Sequence, residues 1–76
     1  MIKVRHARYA IYRVVPDEKE WLIRSECGRV VSRHRSRESA LERAKERARA
    51  VSHAVINVFG KDGKLHTHYQ YGASLD

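Results

Sequence analysis

The chain has 76 residues, 42% of them hydrophobic and 33% charged, with a formal net charge of +7 and a pI near 10.1. This length predicts one small domain over residues 1–76, and the apolar content excludes a disordered chain. No apolar run approaches the roughly 20 residues of a membrane-spanning helix, and the N-terminus lacks the apolar segment of a signal peptide, so we expect no membrane association.

The first part of the chain predicts two strands that form a hairpin. Residues 1–8 are polar and basic, which indicates a flexible basic arm or else a short edge strand. Tyr9–Val15 is β-branched and aromatic, and Pro16 ends this strand because proline lacks the amide donor that a sheet requires. Asp17–Glu20 is a charged turn, after which Trp21–Arg24 predicts the second strand.

A turn and the only long helix follow. Glu26–Arg29 marks a turn or a bulge, and Val30–Arg33 either extends the second strand or forms a short third one. Ser36–Val51 predicts a helix with Ser36 as its N-cap, and Ser39 with Glu42 offers an alternative capping box one turn later. The apolar residues of this segment recur at helical spacing and form one narrow stripe: Ala40, Leu41, Ala44, Ala48 and Val51.

The last part of the chain predicts a second hairpin. Ala54–Phe59 and Leu65–Tyr71 read as strands, Gly60–Lys64 as the turn between them, and residues 73–76 as a tail. The order hairpin, helix, hairpin predicts an α+β fold. We expect a two-layer sandwich (ββαββ) in which one helix packs on one face of a four-stranded antiparallel sheet.

Alternation along the strands predicts which side chains face the helix. The predicted helix-facing residues are Tyr12, Val14, Trp21, Ile23, Ile56, Val58, Leu65, Tyr69 and Tyr71. The predicted opposite face carries Ile11, Arg13, Leu22, Arg24, Val55, Asn57, Phe59, His66, His68 and Gln70. Because no second helix is available to cover it, the opposite face must meet solvent, a second copy of the chain or a ligand.

Five segments follow one another with a familiar spacing. They are Tyr12–Pro16, Trp21–Ile23, Ser36-Arg37 before an Ala-rich helix, Gly60–Leu65 and Tyr71-Gly72. In this spacing the chain resembles, over roughly residues 10–72, a family of short bacterial proteins known only as a domain of unknown function. The resemblance implies the same strand–strand–helix–strand–strand order and implies no catalytic residues. Ser39 and Phe59 depart from the pattern of the family, and the density of arginine before the helix is unusually high.

The positive charge is concentrated in the first half of the chain. Residues 1–37 contain ten Lys or Arg against four Asp or Glu, and in the whole chain Arg outnumbers Lys by eleven to five. Guanidinium groups bind phosphate in a bidentate geometry, so we expect a small basic binding module that contacts DNA or RNA mainly through phosphate. The predicted nucleic-acid-binding residues are Arg13, Arg24, Arg29, Arg33, Arg35 and Arg37, with Lys3, Arg5, Arg8, His66 and His68 as accessory residues.

The predicted helix is a poor surface for nucleic acid. Glu38, Glu42 and Glu46 lie among its arginines and would repel a phosphate backbone. The open face of the sheet, together with the arginines before the helix, is the better candidate. Phe59 or His66 would be available there to stack on bases.

Other kinds of chemistry have little support in the sequence. His66 and His68 share one face of a strand, but spacing supplies only this pair and no Cys-x-x-Cys motif, so we expect no metal site. Without a Gly-rich phosphate loop, a Ser-His-Asp signature or paired carboxylates, we expect no enzyme, no cofactor and no small-molecule substrate. Cys27 is a candidate thiolate in a basic surrounding, and the simpler interpretation is a small residue at a turn.

The alternative function is a protein-interaction module: a homodimer, an adaptor, or an inhibitor from a mobile element. Its basis is an apolar patch expected on the uncovered face at Ile11, Leu22, Val55 and Phe59. The single Cys27 cannot form an internal disulfide, which indicates the cytoplasm of a cell that keeps its thiols reduced, and the resemblance implies a bacterial cell. The sequence leaves open DNA or RNA, any sequence preference, and the oligomeric state.

Overall fold

A computed structural model describes residues 9–51 and 53–72. The predicted basic arm, with Lys3, Arg5 and Arg8, and the predicted tail at 73–76 lie outside these residues. The elements are β1 (Tyr9–Asp17), β2 (Glu20–Arg24), β3 (Val30–His34), α1 (Arg37–Arg49), β4 (His53–Phe59) and β5 (Leu65–Gly72). The five strands form one sheet in the order β3-β2-β1-β4-β5.

The α+β class with one helix is confirmed, whereas the predicted four-stranded antiparallel sheet is wrong. Val30–His34 forms a separate third strand, and β1 pairs with β4 in parallel while the other neighbours are antiparallel. The two errors have one cause. Each strand or helix that runs back across the sheet reverses the chain direction, so inserting β3 before α1 makes β4 run in the same direction as β1.

The helix begins where the sequence predicts. Ser36 is the N-cap, with extended backbone angles, and its Oγ accepts a hydrogen bond of 3.0 Å from the backbone N–H of Ser39. The helix ends at Arg49 with Ala50 as the C-cap, two residues before the predicted end. Arg47 and Arg49 lie in the last turn, where positive charge is favourable for the helix dipole.

The core lies between α1 and one side of the sheet. Ala40, Ala44 and Ala48 are fully buried in the same cluster as the strand residues Val14, Ile23, Ala54, Ile56 and Val58. Because alanine side chains are small, the helix can approach the strands closely. The larger side chains of the core come from the sheet. Four predicted helix-facing aromatics pack around this cluster: Tyr12, Trp21, Tyr69 and Tyr71.

Leu65 does not belong to the core, contrary to the prediction. Its side chain is 52% exposed, and it pairs with Phe59 rather than following the alternation of β5. A register shift between Val58 and Phe59 leaves His66 as an extra residue between Leu65 and Thr67. A bulge of this kind breaks the alternation of faces, so the side of the sheet assigned to Leu65 and His66 changes.

The side of the sheet away from α1 is called the open face here. No helix covers it in residues 9–51 and 53–72. Leu22 lies on this face but is only 2% exposed; its cross-strand neighbours are Val15 of β1 and Arg33 of β3. Among the described residues, no helix combines the length and the apolar character required to cross a membrane.

Candidate nucleic-acid interface

Four polar residues from four adjacent strands lie opposite one another on the open face. Arg24 pairs with Arg13, Arg13 pairs with Asn57, and Asn57 pairs with His68. We call these four residues the polar row. Because neighbouring strands are about 4.8 Å apart, the row spans roughly 14 Å across the sheet.

The turn between β2 and β3 holds the two arginines of the polar row. Nη2 of Arg13 donates to the carbonyl of Glu26 at 3.3 Å, and Nη1 of Arg24 donates to the carbonyl of Gly28 at 2.7 Å. A guanidinium has five N–H donors, so each group retains donors for an anion after these bonds. The turn therefore orients both side chains without consuming their capacity to bind.

The turn has a local sequence basis. The Ser25 amide donates to the Arg29 carbonyl at 2.8 Å, and the Gly28 amide donates to the Ser25 carbonyl at 2.9 Å. Gly28 has φ of +95°, a conformation that side-chain-bearing residues rarely adopt. This closure places Arg29 at the same end of the sheet as Arg13 and Arg24.

Apolar residues border the polar row on both sides. The pair Ile11–Val55 lies on one side, and the pair Val15–Leu22 lies on the other. Phe59 lies two residues beyond Asn57 on β4 and is partly exposed. The open face thus combines guanidinium groups with an accessible aromatic ring. Leu22 is buried, so it does not contribute to an exposed apolar patch. The apolar patch predicted for protein contacts is corrected accordingly.

Arg33 is a predicted site residue that the structure pairs internally. Its Nη1 lies 3.2 Å from Oε1 of Glu20 and 3.8 Å from Oδ2 of Asp17. All three side chains are about half exposed, so the pairs stabilise the fold little. The two carboxylates nevertheless outweigh the charge of Arg33 at this end of the open face.

The remaining predicted arginines do not form one cluster. Arg29 lies in the turn before β3, whereas Arg35 and Arg37 follow the other end of β3 and lead into α1. Five residues of strand separate these two positions, a distance of roughly 16 Å. The predicted set of six arginines is therefore divided between the two ends of β3.

The two accessory histidines have different surroundings. His68 belongs to the polar row, whereas Nε2 of His66 lies 3.2 Å from Oδ1 of Asp62 in the β4–β5 turn. The backbone N–H of Lys64 donates to the same carboxylate, and this bond, followed by His66, holds the pKa of Asp62 below its ordinary value. In residues 9–51 and 53–72, no three His, Cys, Asp or Glu side chains converge to hold a metal ion.

A second feature at the β2–β3 turn was missed at the level of sequence. Arg47, from the last turn of α1, lines a cavity of about 710 Å³ together with Ser25, Cys27 and Arg29. Its Nε is buried and has no hydrogen-bond partner in the described part of the chain. Arg47 follows Ala44 by three residues, so helical spacing alone could have placed it beside the apolar stripe.

The environment of Cys27 acts on its thiol mainly through hydrogen bonds, and the charge of Arg29 makes a smaller contribution. Its Sγ lies 3.2 Å from Oγ of Ser25, and this contact, followed by the backbone amide of Arg29, lowers the pKa of the thiol. The thiol is exposed at the turn. A lowered pKa and free access make Cys27 the side chain of the described chain most open to alkylation.

Comparison with known proteins identifies the family. Residues 12–71 match DUF2188, described as an uncharacterized protein conserved in bacteria. The chain belongs to this family. The resemblance inferred from residues 10–72 is thereby confirmed. No curated protein and no solved structure matches the chain.

The DUF2188 match covers every residue of the polar row. Arg13, Arg24, Asn57 and His68 lie within residues 12–71, whereas the basic residues of the N-terminal arm lie before them. The family description supplies no activity or ligand.

Proposed function

We propose that this protein binds single-stranded nucleic acid on the open face of its sheet. The observation that carries the proposal is the polar row, in which Arg13 and Arg24 lie opposite each other on neighbouring strands. Like charges in such a cross-strand pair destabilise a sheet by a few tenths of a kcal/mol or more. A phosphate group bound between the two guanidiniums would convert this cost into an attraction.

The shape of the surface favours a single strand over a duplex. Reading a duplex groove requires a projecting helix or ribbon, and the exposed side of α1 carries Glu38, Glu42 and Glu46. A sheet face instead offers a platform on which unpaired bases can stack. Phe59, partly exposed beside Asn57, is the side chain for this stacking.

Three phosphates are the expected contact for one copy of the chain. Arg13 and Arg24 lie on the open face and Arg29 lies in the adjoining β2–β3 turn, whereas Arg33 is paired with two carboxylates. For a single strand, three neutralised phosphates give a slope of log K against log[salt] of about −2, or roughly a 20-fold loss between about 50 and 200 mM salt.

The proposal is tested by fluorescence anisotropy with labelled single-stranded DNA, single-stranded RNA and a duplex of the same length. The informative variant is Arg13→Gln with Arg24→Gln. The matched control, Arg43→Gln with Arg49→Gln, removes the same charge from the exposed side of α1. We expect the first pair to weaken binding at least 10-fold and to make the salt slope shallower by about 1.4, while the control pair has a small effect.

Two results would overturn this proposal. One is the absence of binding to any single strand at low salt. The other is equal weakening by both double variants, which would mean that net charge alone drives association. Unfolding by urea, followed by the fluorescence of Trp21, establishes that each variant is folded. Binding of the duplex more tightly than either single strand would refute the assignment of the ligand.

A further variant separates stacking from charge. Phe59→Leu keeps an apolar side chain on the open face but removes the aromatic ring. Loss of one stacked base is expected to weaken binding by about 1–3 kcal/mol, with an unchanged salt slope. The lone Cys27 is compatible with a cytoplasmic location, which we propose as the compartment in which this binding takes place.

A further inference from the structure

The strand β5 forms one edge of the sheet. It pairs with β4 on one side, and no strand in residues 9–51 and 53–72 pairs with its other side. After the bulge at His66, Thr67–Gly72 continues in regular register with β4 over six residues. This stretch is about 20 Å long and presents a row of backbone N–H and C=O groups without partners in the described sheet.

Beyond the bulge at His66, the edge lacks the usual protection against pairing. Natural edge strands are interrupted by charged side chains, proline or bulges, which prevent them from joining another strand. The opposite edge strand, β3, is shorter, carries Arg33, and has a register shift against β2. Thr67–Gly72 contains no Lys, Arg, Asp, Glu or Pro, although 33% of the chain is charged.

We propose that β5 pairs with β5 of a second copy of this chain, in antiparallel orientation about a two-fold axis. A second copy is the occupant because two identical uncharged edges can pair without bringing like charges together. Elsewhere on the surface, the net charge of +7 would make two copies repel each other. The two sheets would join into one sheet of ten strands.

The alternation of faces limits the register of this pairing. Residues opposite each other in a sheet share a face, so an even-numbered residue must meet an even-numbered one. If the axis lies near the middle of Thr67–Gly72, it then lies either between the two copies of Tyr69 or between the two copies of Gln70. In the first register His68 faces Gln70 of the second copy, and in the second register Gln70 faces itself.

The symmetry of this dimer has a consequence for the open face. A two-fold axis perpendicular to the sheet leaves both open faces on the same side, and β5 contributes His68 to the polar row at the junction. The row of one copy would therefore continue into the row of the other. This part of the inference rests on the proposed function, whereas the pairing itself does not.

The oligomeric state tests the pairing directly. Sedimentation equilibrium over roughly a hundredfold range of protein concentration should show a monomer–dimer equilibrium for the unmodified chain. Gln70→Lys places like charges beside the axis in either register and should raise the dissociation constant at least tenfold. Ala50→Lys adds the same charge at the exposed C-cap of α1 and should leave the dissociation constant unchanged.

Cross-linking tests the register in a Cys27→Ser background, because the native thiol is exposed and would react. A chain with Gln70→Cys should form a disulfide dimer if the axis passes through Gln70. A mixture of His68→Cys chains and Gln70→Cys chains should form the mixed dimer if the axis passes through Tyr69. Formation of either disulfide supports the pairing, whereas the absence of both disulfides overturns it.

Other outcomes overturn the pairing as clearly. These are a monomer at every concentration, or a dimer that Gln70→Lys does not weaken although circular dichroism shows the variant folded.

The salt slope distinguishes this inference from the proposed function. Six phosphates across a dimer give a slope of about −4 on a long oligonucleotide, whereas a monomer that still binds retains about −2. A dimer without any binding would refute the proposed function alone.

Discussion

Replacing isoleucine by alanine on the two faces of the sheet should have unequal effects on stability. Ile56 is fully buried between the sheet and α1, whereas Ile11 lies partly exposed on the open face. Ile→Ala removes three carbon groups at about 0.8 kcal/mol each, or about 2.4 kcal/mol of transfer free energy. At Ile56 a cavity adds to this, for a loss of about 4 kcal/mol in the free energy of unfolding. At Ile11 solvent fills the space, so we expect about 2 kcal/mol.

Urea denaturation with Trp21 as the fluorescent probe measures this difference. Trp21 packs against the core and is the only tryptophan. With an m-value near 1 kcal/mol per M, typical of small domains, the two midpoints should differ by about 2 M. A chain of this length has a total stability of roughly 4–11 kcal/mol, so Ile56→Ala is expected to be marginal.

Milder variants keep the comparison decisive if Ile56→Ala does not fold. Ile56→Val should cost about 1 kcal/mol and Ile11→Val about half of that. Equal losses at the two positions would refute the reasoning, because they would mean that the open face is as deeply buried as the helix-facing core. The open face would then be unavailable to a nucleic acid.

Three further predictions concern the helix cap and the β4–β5 turn. Ser36→Ala removes the acceptor for the first turn of α1 and should lower the free energy of unfolding by about 1 kcal/mol, measured by urea titration. Gly63→Ala places a side chain at φ of +80° and should cost about 1 kcal/mol in the same assay, whereas an unchanged midpoint would show that the turn relaxes. NMR titration of Asp62 should give a pKa below the ordinary 3.8, because the Lys64 amide donates to the carboxylate; replacing His66 by Gln should raise it only in part. Because the pKa of Asp62 is lower in the folded state, its stabilising effect is present above the unfolded-state pKa and is lost as the pH falls through the folded-state pKa. A free energy of unfolding that rises on acidification through this range would contradict the assignment.

The elements of this protein are largely readable from its sequence. Pro16 does not end β1, which continues to Asp17 with Pro16 opposite Trp21, but Ser36 caps the helix and Gly60–Lys64 contains the turn before β5. Each of the last two signals acts within a few residues of the position that it determines, so the local chemistry decides the outcome. The apolar stripe of α1 is likewise a local property, and its alanines are buried as expected.

The candidate site is less predictable because it depends on contacts between distant segments. Sequence alternation placed Arg13, Asn57 and His68 on one face, but it could not bring them into one row. That alignment requires β1 and β4 to pair in parallel at a particular register. The internal pairing of Arg33 with Glu20 and Asp17 likewise follows from how β3 lies beside β2.

The sequence by itself determined the α+β class, the single helix with its N-cap, the turn residues and most of the side chains that form the core. Only the tertiary structure decided the direction of β4, the side of Leu65 and the division of the arginines between the two ends of β3. Propensities, caps and alternation act over a few residues and are written into each segment. Strand order and register are decided by packing energies summed over the whole sheet, so one additional strand or one bulge changes which side chains meet.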